Sequence, residues 1–282
     1  MKQHISSIAS QYFGKFASKE FPPWLQHIVN QAYVSLMGLD MSDFHAPSSY
    51  KTLNKLFTRS LREPRSFSLN ENDVISPCDA FISECGDLGG DIALQIKGMK
   101  YSVSELLGEH FSAEEKARLN GGQFMNFYLS PKDYHRYHIP VNLNLLKAVH
   151  IPGKLYPVNI PSLNKRLNLF IENERVVLAC ETQEKKHFYI VLVGALNVGK
   201  MQMSFDSRIQ TNASTQDIQL FEYDNLHLHK GEDFGCFEMG STIVIISEPE
   251  LFDLKITTGQ NIRFGQDIAE VRDLAEIKAA VL

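Results

Sequence analysis

From residue 75 onward the chain is a series of short runs rich in β-branched and aromatic side chains, which limits what it can fold into. Phe124 to Leu129, Leu146 to Ile151, Arg175 to Cys180, His187 to Val193, Ile218 to Tyr223 and Ser241 to Ser247 are strand-length, and turn-forming stretches such as IPGK, HKGED and TTGQN separate them. Runs this short bury their apolar faces only by pairing. The expected fold is α+β, mainly antiparallel β, with a sandwich or distorted-barrel core over 75–282 and amphipathic helices in an N-terminal region, 1–74. A chain of 282 residues, 44% hydrophobic, can bury a core of that size.

The helical signals lie mostly before this region. Ile5, Ile8, Tyr12, Phe13 and Phe16 recur at helical spacing, and after Pro22-Pro23 so do Trp24, Leu25, Ile28, Val29, Ala32, Tyr33 and Leu36. These stripes either cap the core or dock at a membrane surface; Trp24 and the aromatics favour an interface, while Lys2, Lys15 and Lys19 make a poor polybasic patch. YKTLNKLFTRSLREPR (50–65) predicts a helix with Leu53, Leu56, Phe57 and Leu61 inward, ending before Pro64. In SAEEKARLNGG, Ser112 is an N-cap with Glu115 three residues on, and Gly121 follows the last turn.

A net charge of −5 provides no basic field for nucleic acid. Cys78, Cys85, Cys180 and Cys236 form no CxxC pair, as suits reduced thiols in a cytosolic compartment. The longest fully apolar run, FYIVLVGAL, is about half of the roughly 20 residues a spanning helix needs. The start lacks the charged, apolar and small-residue order of a signal peptide, so the mature chain is expected to begin at or near Met1.

Three places can carry chemistry. Asp79 follows a proline-fixed turn in SPCDAFISECG, where an aspartate ordinarily forms an Asx-turn. His135 and His138 stand three apart in YLSPKDYHRYHIP, but prolines bracket the stretch and no HExxH glutamate is present, so no metal is expected; His150, His227 and His229 are expected on strand surfaces. Ser241 stands between Gly240 and a strand-forming run in FEMGSTIVI. Asp79, His138 and Ser241 could form a hydrolase triad, yet Met239 and Ile243 occupy the glycine positions of a nucleophile elbow. The nearest carbonyl to Ser241 is that of Gly240, so an activated hydroxyl could attack its own chain instead. A serine hydrolase and a noncatalytic membrane-binding β-domain remain as alternatives.

MGST (239–242), SPCDAFIS (76–83), YLSPKDYHRYHIP (128–140), IPGKLYPVN (151–159), NERVVL (173–178), VGALNVG (193–199) and YKTLNKLFTR near the start together resemble the bacterial membrane-associated phosphatidylserine decarboxylases. Met239 stands where that family usually has Leu, and Leu143 where it commonly has Gly. The resemblance implies a proenzyme that cleaves itself between Gly240 and Ser241 into a large β chain, 1–240, and a small α chain, 241–282. It implies Asp79, His138 and Ser241 as the self-cleavage triad. Ser241 becomes a covalent pyruvoyl group, the only cofactor, with neither PLP nor metal. Phosphatidylserine is decarboxylated to phosphatidylethanolamine and CO2 through a Schiff base to that group. His135 is the candidate for substrate contact or proton delivery, and Lys132 and Arg136 could face the lipid phosphate. The implied partners are the substrate, a lipid surface, the two chains of the proenzyme and a possible dimer. The implied place is peripheral, on the cytoplasmic face of a bacterial inner membrane.

Overall fold

The computed structural model describes residues 12, 14–89, 93–96, 99–158, 168–195, 200–211, 217–238 and 241–272, with backbone alone at 93–96 and 99. Ile5, Ile8, Phe13, Met239 and Gly240 therefore lie outside the described residues.

The helices are α1 (Pro23–Met37), α2 (Leu53–Phe57), α3 (Val103–Leu107), α4 (Ala113–Ala117) and α5 (Leu169–Glu172). The early strands are β1 (Asp73–Ile75), β2 (Ala80–Asp87), β3 (Ala93–Ile96), β4 (Met99–Ser102), β5 (Gln123–Leu129), β6 (Arg136–His138), β7 (Leu143–Ile151) and β8 (Arg175–Glu181). The later ones are β9 (His187–Gly194), β10 (Met201–Met203), β11 (Gln219–Leu228), β12 (Asp233–Phe237), β13 (Ser241–Ser247), β14 (Phe252–Leu254), β15 (Asn261–Ile262) and β16 (Asp267–Val271).

Eight strands form one antiparallel sheet in the order β11-β7-β8-β9-β13-β5-β2-β15. Two three-stranded sheets, β1-β16-β14 and β10-β12-β6, accompany it, and β3 pairs with β4. One apolar cluster joins the large sheet to the small ones, bringing Ile82, Phe127, Ile190 and Ile243 together with Tyr137, Phe234, Phe252 and Ile268. A second gathers Val177, Val191, Val244 and Ile246 with Leu106 and Leu107 of α3 and Leu169 and Phe170 of α5. The large sheet is thus covered on both faces. This is the expected antiparallel α+β architecture in sandwich form; the barrel alternative is corrected, because β11 and β15 end the large sheet without pairing to each other.

β13 explains why its sequence lacks polar alternation. It pairs with β9 on one side and β5 on the other, and all seven of its residues are buried. Successive side chains point to opposite faces, so Ile243 and Ile245 enter the first cluster while Val244 and Ile246 enter the second.

The N-terminal part differs from the pattern read above. Helix α1 begins at the proline corner, with Pro22 as N-cap and Pro23 in the first turn, and ends at Gly38 in the left-handed region (φ 65°). Its buried residues, however, are Gln26, Asn30 and Tyr33. Gln26 donates to Asn30 (2.8 Å), and Asn30 donates to the carbonyls of Pro47 and Tyr50 (2.8 and 2.9 Å). Trp24 (67% exposed), Ile28 (54%) and Leu36 (81%) face outward. The helix expected over 50–65 is only α2, which Thr52 caps by accepting from the Lys55 amide. It stops because Thr58 turns its hydroxyl onto the Asn54 carbonyl and Arg59 buries its guanidinium against the 130s loop. The capping box at Ser112 and Glu115 is present, and Gly121 follows at φ 74°.

Because Ile243 is fully buried between strands on both sides, Ile243→Ala should destabilise the uncleaved protein by about 2–5 kcal/mol. Urea denaturation of the Ser241→Ala background, with and without this change, measures it.

Candidate active site

Ser241 opens β13, its Cα opposite Leu129 of β5 and Gly194 of β9. Its side chain is fully buried and its hydroxyl has no hydrogen-bond partner among the described residues. A buried hydroxyl without a partner is costly. The chain leaves β5 at Leu129 into a tight turn, in which Asp133 accepts the Ser130 amide at 2.7 Å and returns its own amide to the Ser130 carbonyl at 2.9 Å. That turn delivers Tyr134, His135 and strand β6 to the β13 end of the sheet, where the Phe237 amide donates to the His135 carbonyl.

His135 is completely buried, its ring 4.0 Å from that of Phe57. Its Nδ1 lies 2.9 Å from the carbonyl of Asp133. A carbonyl only accepts, so Nδ1 carries the proton and Nε2 presents a lone pair. Among the described residues that Nε2 has no partner. Burial, helped by the positive charge of Arg59, pushes the imidazole down to about 3, so His135 is a neutral ring with a free acceptor nitrogen.

His138, in β6, is fully engaged. Its Nδ1 donates to the Gly231 carbonyl (2.9 Å), which leaves Nε2 to accept the hydroxyl of Tyr134 (3.0 Å). Phe264 stacks on the ring at 3.6 Å, and burial lowers its pKa. Asp79 accepts from Arg65 Nη1 (2.5 Å) and Nη2 (3.1 Å) and from the backbone amide of Phe264 (2.8 Å). Asp79 and His138 therefore meet around one residue, Phe264, whose amide binds the carboxylate and whose ring covers the imidazole. In this arrangement Arg65 and Phe264 occupy Asp79, Gly231 and Tyr134 occupy His138, and the Ser241 hydroxyl is unpaired.

Lys132, Arg59, Arg65, Asp79 and Tyr134 line a cavity of about 350 Å³. Arg136 is held elsewhere, its Nε donating to Asp233 (2.5 Å) and its Nη1 to the Thr58 carbonyl (3.4 Å). His150 is not on a strand surface; it is buried with Nε2 2.8 Å from Glu174. Among the described residues no group of His, Cys, Asp or Glu is placed to hold a metal ion, and the cysteines are unpaired. Sequence reasoning missed Arg59, Arg65, Tyr134 and Phe264. Arg59 stands inside the YKTLNKLFTR block, where an arginine directly after an apolar helix was a usable signal.

The family model described as phosphatidylserine decarboxylase matches residues 53–270. The chain belongs to the phosphatidylserine decarboxylase family. Among relatives named phosphatidylserine decarboxylase proenzyme, that of Helicobacter pylori strain 26695 is 46% identical over 268 residues, covering 94% of this chain and 97% of the relative. That of Campylobacter jejuni is 46% identical over 270 residues, with 94% and 99% covered. A more distant one, from Nitrosococcus oceani, is 35% identical over 255 residues, with 88% and 82% covered. The match to the decarboxylase family takes in Asp79, both histidines, Ser241, and Arg59.

The state of His135 has a pH consequence. Its folded pKa of about 3 lies below the ordinary value of about 6.5, so as pH falls through 6.5 the unfolded chain takes up a proton that the folded one does not. Its contribution to stability is full above about pH 6.5 and falls by about 1.4 kcal/mol per pH unit below it. Asp133, raised to about 6 by burial, acts oppositely between about pH 6 and 4. In denaturation of the Ser241→Ala protein between pH 7.5 and 5, adding His135→Asn should therefore leave stability rising, or falling less steeply, as pH drops.

Proposed function

We propose that the chain is a self-cleaving proenzyme that decarboxylates phosphatidylserine to phosphatidylethanolamine and CO2, using a pyruvoyl group made from its own Ser241. Its membership of the decarboxylase family supports the reaction. The observation that carries the proenzyme reading is the hydroxyl of Ser241, buried and without a partner among the described residues, in the residue whose nitrogen closes the Gly240 peptide. No external acyl group has obvious access to a hydroxyl that is completely buried, whereas the preceding peptide is attached to it.

In this reading Oγ of Ser241 adds to the Gly240 carbonyl, the C–N bond breaks, and the peptide becomes an ester with a free amine. Loss of the Cα proton then expels the Gly240 carboxylate and leaves a dehydroalanine. Water converts that residue's enamine to a ketone and releases ammonia, so the products equal the uncut chain plus one water minus one ammonia. The buried start of β13 fits the group formed: between β5 and β9 it is held by backbone pairing on both sides and needs no side-chain hydrogen bond. When present, the pyruvoyl ketone supplies an electrophile for the substrate amine and an acceptor for the electrons left by CO2.

The residues around it divide the proton work. For His138 to take the Ser241 proton, the Tyr134 hydroxyl must yield its place at Nε2; Gly231 keeps the ring in the right tautomer, and Asp79 fixes Phe264 beneath it. His135, neutral and with an open Nε2, is suited to accept a hydrogen bond or a proton from substrate at that nitrogen before passing the proton on. Denaturing mass spectrometry of freshly made protein tests the scheme. Wild type should give chains of 1–240 and 241–282, the small one reactive towards hydroxylamine, that co-purify under native conditions. Ser241→Ala and His138→Ala should stay uncut, and His135→Ala should be cut yet lose at least about 100-fold in decarboxylation.

The same reading places the protein peripherally on the cytoplasmic face of the inner membrane of a bacterium. Helix α1 supports the docking part, because it buries Gln26 and Asn30 while presenting Trp24, Ile28 and Leu36 outward, with Tyr12 and Phe16 also exposed. Among the described residues no helix is long and apolar enough to cross a membrane, so attachment would be interfacial. In vesicle flotation, replacing Trp24 and Leu36 together by Glu should weaken partitioning at least about tenfold while leaving self-cleavage intact.

A further inference from the structure

Arg59 is a buried cation that, among the described residues, touches no carboxylate, although Asp79 and Asp133 lie near enough for their charges to act on it. Its side chain is 2% exposed, and its guanidinium lies over the ring of Phe44 at 4.4 Å. Nη2 donates to the carbonyls of Lys132 (2.9 Å) and Asp133 (3.2 Å). Nε and Nη1 are buried and have no acceptor, and the nearby Tyr33 hydroxyl, against which the Arg59 charge acts, is also buried without one. Leaving charged donors dry and unpaired is among the costlier things a protein interior can do.

Arg59 lines the 350 Å³ cavity that also takes in Asp79, Lys132 and Tyr134. The other arginines at that cavity are matched by acids: Arg65 lies between Asp43 and Asp79, and Arg263 contacts Asp43. Among the described residues Arg59 has no hydrogen bond or ion pair to a carboxylate. The cavity wall includes Gly38, the residue after α1. Leu36 and Met37, just before it, are 81% and 44% exposed. At its inner side Arg59 is close enough for its charge to depress the basicity of His135. An amphiphile whose apolar part stays with the outer face of α1 would therefore bring its polar head to Arg59 on the way to His135.

We infer that Arg59 is the residue that grips the phosphodiester of the lipid substrate, donating to its oxygens from Nε and Nη1, with Lys132 at the same cavity. A guanidinium held by two carbonyls and an aromatic face is already oriented, which favours an oxyanion over a water molecule. The inference rests on the reading of the substrate given above. It favours Arg59 over Arg136 for this role, since Asp233 and the Thr58 carbonyl hold the Arg136 side chain.

The test compares wild type, Arg59→Lys and Arg59→Met on phosphatidylserine and on an O-acylserine, which keeps the amine and carboxylate but has no phosphodiester, in neutral micelles. Self-cleavage is measured first on each protein by mass. Arg59→Met should be cut normally, raise KM for phosphatidylserine on the order of 30-fold with kcat little changed, and leave the O-acylserine unaffected; Arg59→Lys should fall between. Equal losses on both substrates would assign Arg59 to the substrate carboxylate or to structure and overturn the proposal, as would no loss. Should Arg59→Met fail to fold, calorimetry on the uncleaved Ser241→Ala protein decides: glycerol 3-phosphate should bind, glycerol should not, and Arg59→Lys should weaken binding. No phosphate binding would overturn the inference. An uncut wild-type chain would instead overturn the proenzyme reading and leave the calorimetric result standing.

Discussion

Everything in this molecule depends on one strand being buried on both faces and paired on both edges. β13 has β9 on one side, β5 on the other and an apolar cluster above and below. Such a strand has a fixed register, because a slip of one residue would exchange the side chains of the two clusters. The fixed register sets Ser241 at the strand's first position, opposite Leu129, and so beside the turn that carries His135 and His138. A strand held this firmly can lose the peptide bond before it without leaving the sheet. Its register partners, from Ser241 to Ser247, lie on β5 and β9, both of which precede Gly240 in the chain.

Burial also sets the chemistry of the histidines. Water would let both rings titrate near neutrality; here desolvation lowers both, and carbonyl acceptors at Nδ1 assign the same tautomer to each. What separates the two is Nε2. Tyr134 covers that of His138, while that of His135 is open. Two residues of the same kind, three apart in the chain, are thus given different hydrogen-bonding states by a single tyrosine hydroxyl.

The sequence was informative where burial and local chemistry dominate. β13 begins and ends where its β-branched run does, and the Ser112 capping box needs only residues within one turn. It was less informative where the structure is decided by distant partners. The helix read over 50–65 follows a correct apolar spacing, yet the chain leaves helical geometry at Thr58 because Arg59 binds carbonyls some seventy residues away. The burial of two polar residues of α1 was equally hidden, since Gln26 and Asn30 become interior only through the carbonyls of Pro47 and Tyr50. Among the site residues, Asp79, His135, His138 and Ser241 stood out because their types carry chemistry. Phe264 did not, because its contribution is a backbone amide for one of them and a ring face for another.

The outward apolar side chains of α1 and the arginine without a bound carboxylate make sense together. An outward apolar face is unfavourable in water, and a dry guanidinium without an anion is unfavourable in a protein interior. Each would be relieved by one part of a phospholipid, the first by acyl chains and the second by the phosphodiester. Gly38 ends the helix in a left-handed turn and lines the cavity with Arg59, and the exposed Leu36 and Met37 directly precede it in the chain. On the proposed reading, the two features would meet a phospholipid in the order of its parts, tail before phosphate and phosphate before the serine amine. Such an order would bring the reacting end of the substrate past Arg59 to His135, and it gives a physical reason for placing a costly polar face inside α1.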